Sequence, residues 1–235
     1  MLTVEGVDLK YGAAQVLWGV DLKAERGKVT CLMGRNGVGK TSLLRGIVGH
    51  QAICGGKIVW DGQDISKMPS FERARRGIAY VPQGREIFPL LTVKENLESG
   101  FSAIRGRGKG VQDEVFQLFP VLKTMLGRRG GDLSGGQQQQ LAIGRAMVLE
   151  PKLLILDEPT EGIQPSIIKD IGHVIRMLAT RGMNGQKMAI VLVEQYYDFA
   201  AELADQYLVM ERGEIIRRGQ GSHMAADGVR ALVSI

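Results

Sequence analysis

The chain has 235 residues, 44% of them hydrophobic, which suits one domain, or a domain with a sizeable insertion, around a real core. The formal charge is +5 and the pI about 9.3, but the bases are dispersed: Arg73, Arg75 and Arg76; Arg105, Arg107 and Lys109; Arg128 and Arg129; Arg217 and Arg218. None is interleaved with aromatics, which make up only 6% of the chain. This argues against dedicated nucleic-acid binding and reads as solvated faces and phosphate contacts.

Cys31 and Cys54 lack metal-type spacing and read as reduced, structural thiols of a cytosolic protein. No apolar run approaches the ~18 residues of a membrane span, and "MLTVEGVDLKYG" alternates and carries acids early, unlike a signal peptide. Any membrane role therefore falls to a partner.

In chain order, "KVTCLMG" (28–34) is a short apolar run ending in glycine, which predicts a buried strand. In "KTSLLRGIVGH" Leu43, Leu44, Ile47 and Val48 fall at helical spacing. Between them "GRNGVGKT" fits G-x-x-x-x-G-K-[ST] in its required strand–loop–helix context. Glycines let the backbone turn its N–H groups onto phosphate oxygens, and the helix start adds donors and a positive dipole end. Lys40 is placed to reach β- and γ-phosphates, and the Thr41 hydroxyl to ligate Mg²⁺.

The alternation in "GGKIVWDG" predicts antiparallel pairing near the N-terminus. Gly106, Gly108 and Gly110 in "IRGRGKG" read as a mobile loop. In "LSGGQQQQLAIGRAM" Ser134 stands three residues before Gln137, a capping-box spacing, and a helix is predicted over 137–149. That helix start, with bare glycine N–H groups, is a second anion site. Two such starts for one triphosphate are both used if two subunits meet head to tail.

"KLLILDEP" predicts a buried strand whose end presents Asp157 and Glu158, with Pro159 stopping further pairing. Asp157 suits Mg²⁺ and Glu158 suits polarising a water. A later helix carries the stripe Ile167, Ile168, Ile171, Val174, Ile175 and Leu178, with His173 off it. Ile190–Val193 predict another buried strand, with Gln195 just beyond.

"GRNGVGKT", "LSGGQ" and "LLILDEP", in this order, resemble the ATP-binding subunit of an ABC transporter, over nearly the whole chain. The resemblance implies an α/β fold: a P-loop ABC ATPase core with a parallel sheet, a small N-terminal antiparallel β subdomain and a helical insertion. It implies one domain over 1–235, with a core of about 1–84 and 150–235 and a helical subdomain of about 85–149.

It also implies ATP and Mg²⁺ as ligands. Tyr11 would stack on adenine. Gly34, Arg35, Asn36, Gly37, Val38, Gly39, Lys40, Thr41 and Ser42 would cradle the phosphates. Ser134, Gly135, Gly136 and Gln137 would complete the opposite subunit's site. Thr41, Gln83 and Asp157 would serve Mg²⁺, and Glu158, Gln83 and Gln195 catalysis. Partners implied are two transmembrane permease subunits, a second ATPase subunit (a heterodimer favoured, a homodimer open) and, indirectly, a periplasmic or extracellular solute-binding protein. Nucleic acid is not among them, and the place implied is the cytoplasmic face of the cell membrane.

Two residues depart from the family pattern. Gln164 stands where an aspartate is frequent, and Gln195 stands where a γ-phosphate-contacting histidine is usual. None of His50, His173 and His223 substitutes, which leaves Glu158 as base without a titrating neighbour. "LVEQ" resembles ATPases of transporters for branched-chain amino acids and related solutes. "EGIQPSIIKDIG" and "EQYYDFA" look most like the urea-transporting member, so urea is the expected solute and branched-chain amino acids the alternative. A soluble ABC ATPase acting on nucleic acid or ribosomes would carry paired domains or long insertions. A module that only holds ATP would not need Lys40, Asp157 and Glu158 together.

Overall fold

The computed structural model describes residues 1–103 and 111–233, so the glycine-rich loop expected around Gly106, Gly108 and Gly110 lies outside the described residues. The chain opens with β1 (Leu2–Tyr11) and β2 (Ala14–Ala24), an antiparallel hairpin in which Tyr11 faces Ala14. β3 (Val29–Met33) runs through the phosphate-loop sequence into α1 (Lys40–Val48). β4 (Ile53–Trp60) and β5 (Gln63–Asp64) pair back onto β1, giving an antiparallel sheet of order β2-β1-β4-β5. This is the small N-terminal sheet that the alternation predicted.

α2 (Ser70–Arg75) leads to β6 (Ile78–Val81), and a helical stretch follows: α3 (Val93–Ser99), α4 (Asp113–Leu118), α5 (Pro120–Thr124) and α6 (Gly135–Met147). The chain then returns through β7 (Leu153–Asp157), α7 (Pro165–Thr180), β8 (Ala189–Glu194), α8 (Tyr197–Leu203), β9 (Gln206–Glu211), β10 (Glu214–Gln220) and α9 (Val229–Val233). The second sheet has the order β10-β9-β3-β8-β7-β6, with β9 to β6 parallel and β10 antiparallel at its edge.

β3, β7 and β8 are buried along their whole length, and their unbroken apolar runs are what strands covered on both faces require. Alternate residues serve two cores. Leu154, Leu156, Ile190 and Leu192 pack with Leu141 of α6 and Ile175 and Leu178 of α7. Leu153, Ile155, Val191 and Val193 pack with Leu43, Leu44 and Ile47 of α1 and with the inner face of the N-terminal sheet. The phosphate-loop helix is thus held between two sheets.

α6 starts at Gly135, two residues earlier than the helix formers alone predict, because Ser134 caps it. The Ser134 hydroxyl accepts from the Gln137 N–H at 3.3 Å, and the Gln137 side chain accepts from the Ser134 N–H at 3.0 Å. On α7, Ile171, Val174, Ile175 and Leu178 are buried and His173 is exposed on the other face.

Among the described residues, one of these bases departs from the solvated reading. Arg73 is only 3% exposed. Its guanidinium donates to the carbonyls of Gly46 (2.7 Å), Ile47 (2.8 Å), Met68 (2.8 Å) and Ser66 (3.0 Å). Gly46 and Ile47 lie in the last turn of α1, where carbonyls are under-satisfied and a cation is favoured, although Gly46 also accepts the Gly49 N–H at 3.3 Å. Arg73→Met should remove the guanidinium donor from these carbonyls, of which only Gly46 is shown with another, that Gly49 N–H, and lower the unfolding free energy by at least about 2 kcal/mol in urea titrations; an unchanged midpoint would show the clamp to be dispensable.

Candidate active site

The parallel register brings three strand ends level. Met33 pairs with Glu194 across β3 and β8, and Asp157 pairs with Val193 across β7 and β8. Ligand-binding crevices in parallel sheets form at this carboxyl edge. The loop leaving β3 needs glycine at two points. A Cβ on Gly34 would lie 2.5 Å from the Met210 carbonyl oxygen. Gly39, with φ +114°, stands at the N-cap of α1 against Leu17 and Met210.

Lys40 is 4% exposed. Its ammonium donates to the carbonyls of Gly34 (2.8 Å) and Arg35 (2.9 Å) and lies 3.2 Å from Glu158 Oε1, so three acceptors meet its three protons. Gln83 reaches the same carboxylate from β6, its Nε2 donating to Glu158 Oε2 at 3.3 Å and to Glu161 Oε2 at 3.0 Å. Glu158 itself has φ +48°, a left-handed conformation that costs a non-glycine residue roughly 1–3 kcal/mol. Its N–H donates to the Val193 carbonyl at 2.9 Å, tying the turn to β8.

Asp157 is 1% exposed, and burial pushes its carboxyl pKa upward against the pull of Thr41 and Tyr80. Oδ2 accepts from the Tyr80 hydroxyl at 3.2 Å, while Oδ1 is buried without a hydrogen-bond partner. Thr41, Gln83 and Asp157 line one cleft. An all-oxygen donor set with one orphaned carboxylate oxygen fits Mg²⁺, which takes one or two carboxylates and completes its shell with water and phosphate. Among the described residues no cluster of three His, Cys, Asp or Glu offers a self-sufficient metal cage.

Asn36, Gly37, Gly39, Lys40, Thr41 and Ser42 line a cleft together with Gln83 and Glu158. Gln195 joins from β8, its Nε2 donating to Asn36 Oδ1 at 2.7 Å. Tyr11 is exposed at the end of β1. The lining of this cleft includes none of Ser134, Gly135, Gly136 and Gln137; Gly135 lies by the Arg85 guanidinium and Gly136 packs on Ile167. A larger cavity of about 780 Å³ runs between the N-terminal sheet and β9–β10, but its walls lack the convergent donors of the phosphate loop.

The sequence reading missed Glu194. It is 1% exposed, and burial, the larger influence, pushes its carboxyl up to about 7 against hydrogen bonds from Thr160, Tyr196 and Gln195. A buried carboxyl therefore stands next to Gln195 in sequence, though its bonds go to Thr160 and to the N–H groups of Gln195 and Tyr196 rather than to Glu158. Its only signal in the sequence is an acid closing the apolar run "AIVLV". Also unforeseen is Arg85, whose guanidinium donates to the Glu161 carbonyl at 2.9 Å and to Gln138 Oε1 of α6 at 3.4 Å.

Residues 17–161 match the family described as ABC transporter. The chain is 40% identical to the high-affinity branched-chain amino acid transport ATP-binding protein BraG of Pseudomonas aeruginosa, over 97% of this chain and 96% of that one. The chain belongs to the ABC transporter family. It is also 32% identical to a probable branched-chain amino acid transport ATP-binding protein, LivF, of Archaeoglobus fulgidus, over 95% of this chain and 94% of that one. Among solved structures it is similar to a nucleotide-free ATP-binding cassette (TM-score 0.84, 25% identity, covering 100% of this chain and 97% of that one). It is similar also to a cassette in its ADP conformation (TM-score 0.81, 26% identity, 99% and 97%). The fold is the mixed α/β ABC ATPase fold. The chain is an ATP-binding subunit and an ATPase coupled to transport, with Mg²⁺ as the usual ion. Subunits of this family dimerise and work with transmembrane permease subunits. Among the described residues no helix is long and apolar enough to cross a membrane.

Glu194 makes a pH-dependent contribution to stability. Its folded pKa of about 7 lies above its ordinary value of 4.5, so its contribution is fully present below pH 4.5 and is lost as pH rises through about 7. Relative to Glu194→Gln, the wild type should lose unfolding free energy between about pH 5 and about pH 8, by at most on the order of 3 kcal/mol. A difference flat with pH would contradict this.

Proposed function

We propose that the chain is the ATP-hydrolysing subunit of a branched-chain amino acid importer. The observation that carries the solute class is the similarity to BraG over nearly the full length of both chains. The urea reading rests on "EGIQPSIIKDIG" and "EQYYDFA" alone and is less well supported. Peripheral attachment at the cytoplasmic face follows from the same reading, as do service to two permease subunits and indirect service to a solute-binding protein.

The residue roles are supported by the convergence of Lys40, Gln83 and Glu158 on one another. Backbone N–H groups of Gly34 to Ser42 receive the phosphates, Lys40 binds the β- and γ-oxygens, and Tyr11 stacks on adenine. Mg²⁺ would be held by Thr41, Asp157 and Gln83 and would neutralise charge on the transferred group. Glu158, freed from Lys40 when phosphate takes the ammonium, polarises the attacking water. Gln195, already on Asn36, donates an amide N–H to the γ-phosphate. A glutamine can do so without titrating.

The capped start of α6, with Ser134, Gly135, Gly136 and Gln137, serves the nucleotide on a second ATPase subunit, and the pair closes head to tail. The core spans about 1–84 and 150–235. Residues of about 85–149 form the subdomain facing the permease, a division supported by α3 to α6 falling together between β6 and β7. Phe88 (47% exposed) and Leu90 (80%) are apolar residues offered to that partner.

Lys40→Ala should weaken ATP binding roughly 10-fold or more, because a charge-assisted phosphate contact goes. Glu158→Gln should keep ATP yet lose at least about 100-fold in kcat and accumulate a closed dimer. Normal turnover by Glu158→Gln would falsify the general-base role.

Purification of the assembled transporter tests the rest. It should contain a second, different ATPase chain, and in proteoliposomes its ATPase should respond to binding protein loaded with leucine, isoleucine or valine. A response to urea instead would restore the urea reading, and two copies of this chain would overturn the heterodimer.

A further inference from the structure

Glu194 ends β8, and β8 lies between β3, which runs into the phosphate loop, and β7, which runs into Glu158. Its buried carboxylate accepts four hydrogen bonds from two separate turns. Oε1 accepts the Thr160 N–H at 3.2 Å and the Thr160 hydroxyl at 2.9 Å; Oε2 accepts the N–H groups of Gln195 at 3.2 Å and Tyr196 at 3.4 Å. Thr160 belongs to the turn that presents Glu158, and Gln195 and Tyr196 to the turn that leaves β8. All four donors are backbone or hydroxyl groups. An apolar side chain would avoid burying a carboxylate but would leave these donors without their acceptor. The carboxylate both satisfies them and gives a directional hold on the two turns at once.

We propose that Glu194 is a positioning residue for ATP hydrolysis: it fixes the Glu158 turn against the Gln195 turn and so sets the spacing of base and γ-phosphate donor across the cleft. The proposal rests on the roles given above to Glu158 and Gln195. Two further contacts make that spacing consequential. The Glu158 N–H is tied to the Val193 carbonyl, one residue before Glu194, and the Gln195 amide is tied to Asn36 in the phosphate loop. A slip of one turn against the other therefore moves the Glu158 carboxylate relative to the bound phosphate. Glu194 itself touches neither.

The experiment is steady-state ATPase kinetics on the full chain with its ATPase partner, at saturating Mg²⁺, alongside binding of a fluorescent ATP analogue. Glu194→Gln keeps the volume but turns one acceptor into a donor that faces N–H groups. It should lower kcat about 10- to 100-fold while KM and analogue affinity stay within about two-fold. Thr160→Val, which removes only the hydroxyl donor, should lose less, and the double variant should be no worse than Glu194→Gln alone.

A kcat for Glu194→Gln within about two-fold of wild type overturns the proposal, as does a loss that merely tracks the folded fraction. Should Glu194→Gln fail to fold, Thr160→Val carries the test, and an unchanged kcat there overturns it. Glu158→Gln in the same assay separates the two readings. If it is inactive while Glu194→Gln is fully active, only the positioning role falls; if it turns over normally, the base assignment falls first.

Discussion

One nearly dry ammonium governs the site. Lys40 sits where an unpaired charge would cost several kcal/mol, and the surrounding chain is arranged to supply its three acceptors. The Gly34 and Arg35 carbonyls can point inward only because the loop bends back where no Cβ fits against Met210. Glu158 can approach only because β7 and β3 end level, with β8 between them. The left-handed backbone at Glu158 is part of the same arrangement. Its carboxylate serves Lys40 and Gln83 together, one oxygen each.

Much of this was legible because local chemistry and long-range contact coincide. The phosphate loop is a contiguous motif, and its glycines, lysine and threonine state their own geometry. The Ser134–Gln137 cap is a spacing of three residues and was readable from the hydroxyl and amide alone. β3, β7 and β8 announced themselves as unbroken apolar runs. Stripes on α7 told which side faced the core, and correctly left His173 outside.

What could not be read depends on neighbours remote in the chain. Arg73 looks like one of three bases on a polar helix, and nothing local says that α1 ends beside it. Glu194 looks like a strand-end acid until Thr160, 34 residues away, is placed against it. The link from Arg85 to the Glu161 carbonyl likewise spans 76 residues. The solute is not encoded in the site residues, and there the alternative reading, branched-chain amino acids, is better supported than urea.

The Arg73 clamp bears on mechanics. α1 is seated at its start by the phosphate loop and at its end by a guanidinium that also grips Ser66 and Met68. The helix is therefore fixed at both ends between the two sheets. The chain beyond β6 is held differently. There Arg85 and Glu86 both adopt left-handed backbone, and the segment is held from α6 by Arg145, which donates to the Glu86 carbonyl at 2.8 Å and lies over the Phe88 ring. The two ends of α1, by contrast, are anchored by different parts of the chain, the phosphate loop at its start and α2 at its end.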